Sequence, residues 1–150
     1  MKIDFMKKSE ILPKFVPVKK IDKHINALYK ILKNRKFNIS NNSLPSFSEH
    51  KLFVINNPYR AWYLIEVDKF FVGSMYLLKD NCIGIYVIDQ DESIIKQSIE
   101  WVLKNKKPLP EIKSVRVPNF HINIPPNNII FTKIIESMGA TSIQSTFLFK

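Results

Sequence analysis

Apolar and polar positions alternate with a period that changes along the chain, and the changes divide it into elements. Residues 15–18 read as a first strand, which Pro17 confines to a sheet edge because proline brings no N–H to a ladder. Ile25, Leu28, Tyr29 and Leu32 recur at i, i+3, i+4 and i+7, the stripe of an amphipathic helix. Asp22 is its expected N-cap, and Lys33, Arg35 and Lys36 suit its negative C-terminal end. Residues 37–45 are polar and turn-rich and predict a loop. Ser46 and Glu49 form an S-x-x-E capping box for a second helix bearing His50, Leu52, Phe53 and Ile55, which Asn57-Pro58 stops.

Residues 61–67 and 70–78 are rich in aromatic and β-branched side chains, and the two-residue connection Asp68-Lys69 makes them a hairpin. A short turn over 79–81 leads to a strand over 83–87. Ile94, Ile95, Ile99, Val102 and Leu103 then return to helical spacing, capped by Asp91 or Ser93 and ended before Pro108 and Pro110. Residues 114–117 read as a strand, followed by PNFHINIPPNN. Asn127 or Asn128 caps a last helix whose buried face carries Ile130, Ile134 and Met138, and Gly139 stands at its C-terminal stop. Residues 141–149 close the chain as a strand. The order is β-α-α-β-β-β-α-β-α-β: an α/β (α+β) fold with a mixed, mainly antiparallel sheet and helices on both faces.

At 150 residues and 45% hydrophobic content the chain fits one domain over 1–150, with 1–14 as an irregular arm. Its single cysteine, Cys82, excludes an intrachain disulfide, and the start MKIDFMKKSE lacks the apolar run of a signal peptide. The longest apolar run, near 70–78, is interrupted by Gly73 and Ser74 and falls short of the roughly 18 residues a spanning helix needs. A cytoplasmic protein with no membrane span is the expectation. A formal charge of +10 favours anionic partners: a phosphorylated cofactor, nucleic acid or an anionic surface. The basic residues are scattered in pairs such as Lys7/Lys8, Lys19/Lys20 and Lys106/Lys107, which reads as a solvated surface and weighs against nucleic acid.

The stretch from Asn81 to Lys104 carries the first chemical signal: a strand runs through a polar turn into a helix N-terminus, a ready anion site. A phosphate-bearing ligand is therefore expected there. The turn itself, however, holds Asp89, Asp91 and Glu92 and no glycine. Elsewhere, Cys82 reads as a small packing residue and His24 as a surface residue. No Cys/His cluster has metal-ligand spacing, so no metal is expected.

Three features resemble the GNAT superfamily of acetyl-CoA-dependent N-acetyltransferases. The first is Asn57-Pro58-Tyr59 with AWYLIEVDKFFVGSMYL and CIGIYV, similar to the central meander of bacterial members that acetylate amino sugars. The second is the strand-turn-helix from Ile83, and the third is Asn128 followed by Gly139, similar to the family's N-x-x-S...G-F segment. The resemblance covers about residues 20–150 and implies acetyl transfer from acetyl-CoA to a small-molecule amine, on a sugar or nucleotide sugar. It implies that the cofactor's arm adds to the strand edge at Ile85, Tyr86 and Val87, with the diphosphate on the N–H groups of Ser93 and Ile94 and Asn128 close by. His121, just past the expected fifth strand, is then the candidate base, and Glu66 a weaker one. His50, Tyr59 and Trp62, with Tyr76, would line an acceptor pocket, the alternative being that the aromatic residues are core. The sequence departs from the family where its glycines fall at Ser93 and Ile95, its serine at Phe131, its tyrosine at Ile135 and its phenylalanine at Ala140. A GNAT-like module that has lost the cofactor and serves as a binding or partner domain is the alternative.

Overall fold

The computed structural model describes residues 11–35 and 43–150, so the expected arm over 1–14 and loop over 37–45 lie largely outside the described residues. Four strands, β1 (Lys14–Pro17), β2 (Ala61–Val67), β3 (Phe70–Leu77) and β4 (Ile83–Val87), pair antiparallel in the order β1-β2-β3-β4. The β2–β3 hairpin closes through Asp68 and Lys69, which both take positive φ (49° and 68°), as a two-residue primed turn requires.

Strand alternation then builds two cores. On one face Tyr63, Ile65, Met75, Leu77, Ile83 and Val87 meet α3 (Glu92–Asn105) and α4 (Ile129–Ser137) through Ile94, Ile95, Ile99, Val102, Phe131 and Ile134. On the other, Leu64 meets α1 (Asp22–Lys33) and α2 (Phe47–Ile55) through Ile25, Leu28, Ile31 and Val54. Helices cover both faces, as expected.

The helix starts follow their caps. Ser46 Oγ accepts the Glu49 N–H at 3.2 Å while the Glu49 carboxylate accepts the Ser46 N–H at 3.1 Å, so the capping box closes. Asp91 caps α3 and Asn128 caps α4, which decides between the two candidates at each end. For α1 the N-cap is Ile21, without a side-chain bond; Asp22 lies inside the first turn, where its charge still favours the helix. Gly139, at φ +92°, follows α4 in the left-handed conformation that favours glycine.

Some burial differs from the stripes. α2 buries His50 and Val54 and leaves Leu52 and Phe53 largely exposed, because His50 is turned inward to bond α1. His24, read as a surface residue, is buried. Leu103 is exposed at the far side of α3.

The larger correction concerns two expected strands. No strand forms over residues 114–117; residues 113–115 make a tight turn instead, closed by an Ile112–Arg116 bridge, with Ser114 at φ +64°. The segment joins the sheet only later, at His121, through a parallel bridge to Cys82. Residues 141–149 lie outside regular structure, and Ile143, Phe147, Leu148 and Phe149 are 76–96% exposed. Apolar, β-branched composition favours a strand only where another strand presents an edge, and here none pairs with these residues among those described.

The two buried histidines give the fold a pH dependence. His24 Nδ1 accepts the Lys19 N–H at 2.9 Å, and His50 Nε2 donates to the Ile25 carbonyl at 3.0 Å. Burial holds both pKa values below the ordinary histidine range, with Lys23 and Lys19 adding to the effect at His24. The folded state therefore binds fewer protons than the unfolded chain, and stability is full above pH about 6.5 and lost as the pH falls below it. We expect the urea midpoint to fall between pH 7.5 and pH 5, and His24→Gln/His50→Gln to flatten that fall. A midpoint that holds its value down to pH 5 would contradict the account.

Candidate functional site

β4 is paired on one side only. The Leu78 N–H donates to Cys82 O at 2.9 Å, towards β3, whereas the Ile83 N–H donates outward to His121 O at 2.8 Å. Alternation along the strand therefore turns the N–H and C=O groups of Ile85 and Val87 outward as well, and among the described residues no strand meets them. Beyond His121 the chain diverges from β4 and turns at Pro125, whose carbonyl accepts the Asn128 N–H at 3.0 Å. A cavity of about 400 Å³ opens in the gap, walled by the β4 edge, Asn123, Asn128 and Phe131.

A second cavity, of about 90 Å³, lies under α1 and α2 against Leu28, His50, Phe53 and Trp62. The two cavities share Arg35, Tyr76, Ile85 and Tyr86. Tyr76 stacks flat on Tyr59, with ring centres 4.2 Å apart, and Tyr59 stands edge-on to Trp62 at 4.8 Å. Burial raises the pKa of both tyrosines, so their hydroxyls stay protonated. Trp62 Nε1 is buried without a hydrogen-bond partner among the described residues, which leaves a donor beside the small cavity. At the lip, the Tyr86 hydroxyl donates to Asn34 O at 2.7 Å and the Arg35 guanidinium lies 5.9 Å from the Tyr86 ring centre.

The expected site residues divide accordingly. Ile85, Tyr86 and Val87 line the large cavity, though only Ile85 and Val87 turn their peptide groups to it; Tyr86 contributes its side chain. Asn128 lines it too, while its Oδ1 accepts the Phe131 N–H at 3.2 Å. Ser93 and Ile94 stand outside the lining, and the Ile94 N–H donates to the Asp91 carboxylate at 3.0 Å. The chain's own acidic side chain thus occupies the helix N-terminus where a phosphate would bind. Ahead of it, Asp89 and Gln90 take positive φ (58° and 49°), so the backbone makes a glycine-like turn with side chains attached. His50 and Trp62 line the small cavity, and Tyr59 supports it from behind Tyr76.

His121 lines neither cavity. Its ring groups with Asp80 and Cys82, whose ligating atoms and its own lie within 4.8 Å of one another. Linear spacing conceals this cluster, because sheet pairing alone brings residue 121 to residue 82. Burial raises the pKa of Cys82, and its sulfur lies 3.6 Å from Asn123 Nδ2. Arg35 was also hidden in the sequence, where it reads only as a charge at a helix end.

No protein-family model matches the chain, and no curated protein matches it significantly in sequence. Solved structures match it in shape. A structure of AAC(6')-Iy in complex with the bisubstrate analogue CoA-S-monomethyl-acetylneamine has a TM-score of 0.59 at 11% identity, covering 93% of this chain and 97% of that one. Ribosomal-protein-alanine N-acetyltransferase from Brucella melitensis biovar Abortus 2308 gives 0.59 at 14% identity, over 93% and 99% of the two chains. The aminoglycoside acetyltransferase meta-AAC0020, from an uncultured soil metagenomic sample and bound to sisomicin, gives 0.56 at 11% identity, over 92% and 94%. The chain has the GNAT acetyltransferase fold. Among the described residues, no helix of this GNAT-fold protein is long and apolar enough to cross a membrane.

Proposed function

We propose that this protein transfers an acyl group from a pantetheine thioester, acetyl-CoA in the simplest case, to a small-molecule amine. The observation that carries the reading is the meeting of two cavities at Tyr76, one along the free edge of β4 and one among aromatic side chains. An extended arm that adds to a strand needs outward N–H and C=O groups, and Ile85 and Val87 offer both. Bound acetyl-CoA would supply an acyl carbonyl activated as a thioester. The Ile85 and Val87 N–H groups are fixed donors for an oxygen that gains negative charge, and the protonated Tyr76 hydroxyl is a proton donor at the junction. Trp62 and its neighbours offer aromatic faces to an amine, which as an ammonium is drawn to them, and the flat side of an amino sugar can stack there. His121 as a base would act through water, since it lines neither cavity.

The residues fit the arm of CoA better than its diphosphate. Asp91 caps the helix end a phosphate would use, and Asp89 lines the cleft; Glu92 is offset by Lys96 at 2.9 Å, and Arg35 stands at the lip. That capping supports a second reading, a module that has given up CoA and binds another ligand.

Asp91→Asn separates the two. Asparagine caps a helix as well as aspartate does, so stability should hold while the repulsion goes. On the first reading calorimetry finds acetyl-CoA binding to the wild type and roughly fivefold tighter binding to the variant, about 1 kcal/mol for one close solvated pair, with a larger gain at low salt. Acetyl-CoA binding in neither protein would select the second reading.

A further inference from the structure

The turn between β3 and β4, and the segment that meets it at residue 121, bring three unlike donors together. Asp80, Cys82 and His121 each offer one ligating atom, all within 4.8 Å of one another. Asp80 Oδ1 accepts the Cys82 N–H at 2.8 Å, which holds the carboxylate over the thiol and leaves lone pairs for another contact. The thiol is buried, only 4% exposed. The His121 backbone is tied on both sides, accepting from the Ile83 N–H at 2.8 Å and donating to Asn81 O at 3.2 Å. Its ring Nδ1 is buried and has no hydrogen-bond partner among the described residues. A buried nitrogen left in that condition is unfavourable unless something bonds it.

We propose that Asp80, Cys82 and His121 form a site for a divalent transition-metal ion of the zinc class, with His121 ligating through Nδ1. Thiolate, imidazole and carboxylate are zinc's donor types, and the sulfur disfavours magnesium and calcium. Thiolate and carboxylate together balance the double positive charge, which a partly buried site requires. Binding forms the metal–sulfur bond as the S–H bond breaks, and that proton goes to water. Donor atoms of a tetrahedral zinc site stand about 3.5 Å apart, so closure takes a movement of about 1 Å, which falls to the exposed Asp80. The ion would clamp the β3–β4 turn to the crossing segment at the point from which the large cavity opens. The inference is independent of the acyl-transfer reading. It also bears on it: a metal-bound Nδ1 has no lone pair for a proton, so zinc would silence any step that uses His121 as a base.

The test is metal titration of the chelator-treated full chain. Zn²⁺ should bind at one per chain and raise the melting temperature; Co²⁺ should add a thiolate-to-metal absorption band; Mg²⁺ should do neither. Cys82→Ser and His121→Gln should each weaken zinc binding at least tenfold and abolish the cobalt band. Should either fail to fold without metal, as judged by circular dichroism, Asp80→Asn at the exposed ligand must still weaken binding severalfold. Absence of one-per-chain zinc binding in the wild type would overturn the site, as would unchanged zinc affinity in folded variants.

Discussion

Alanine at position 84 will lower stability by about 2 kcal/mol and weaken any ligand that spans the two cavities by tenfold or more. Gly84 pairs with Tyr76 across β3 and β4, and a methyl added there would land on the Tyr76 ring. The glycine is needed for space rather than for backbone freedom, since its φ is an ordinary one. The ring cannot simply slide away, because it lies flat on Tyr59, and Tyr59 in turn abuts Trp62 and Phe53. One methyl therefore disturbs the whole aromatic wall and the junction between the cavities. Tyr76→Ala combined with Gly84→Ala tests this account, because removing the ring removes the clash. The double variant should be more stable than the sum of the single losses allows. Strictly additive losses in urea unfolding would show that the ring is not what position 84 must spare.

Asn81 should prove the most sensitive residue for folding. It is fully buried, and its side chain donates to Leu109 O at 3.0 Å and Val117 O at 2.9 Å while accepting the Leu109 N–H at 2.6 Å. Its backbone sits at φ +74°, where asparagine is tolerated better than most residues. Asn81→Ala takes this partner from the Leu109 N–H and from the Leu109 and Val117 carbonyls and adds left-handed strain, for an expected loss of about 4 kcal/mol. The melting temperature should fall by roughly 10 °C. Asn81→Gly relieves the strain alone and should recover about 1 kcal/mol of that loss. An alanine variant within 1 kcal/mol of the wild type would mean that the loop over 109–117 is not held by this side chain.

Where local chemistry fixes an element, the sequence was readable. Ser46 with Glu49, Asp68 with Lys69, and Gly139 each mark a boundary through bonds or dihedrals within a few residues, and the structure places them as expected. In the sequence Asp91 is both a candidate cap and an acidic residue of the expected phosphate turn, and its geometry makes these one fact: the carboxylate caps by standing in the phosphate's place. What could not be read depends on partners distant in the chain. Val115, Val117 and Ile143 look like strand residues, yet a strand exists only when another edge receives it. His24 and His50 are buried by their neighbours, not by their position in a helical stripe. The cluster of Asp80, Cys82 and His121 has no linear signature at all.

The two rims of the sheet are not alike. At β1, Pro17 removes one backbone donor and Trp101 covers Phe15 at 4.7 Å, so that rim resists further pairing. At β4 the peptide groups of Ile85 and Val87 stand open. The sheet can thus be extended from one side only, and that side is the cleft. An extended peptide that docked there would cover the same backbone groups as a thioester arm, and the two would exclude one another.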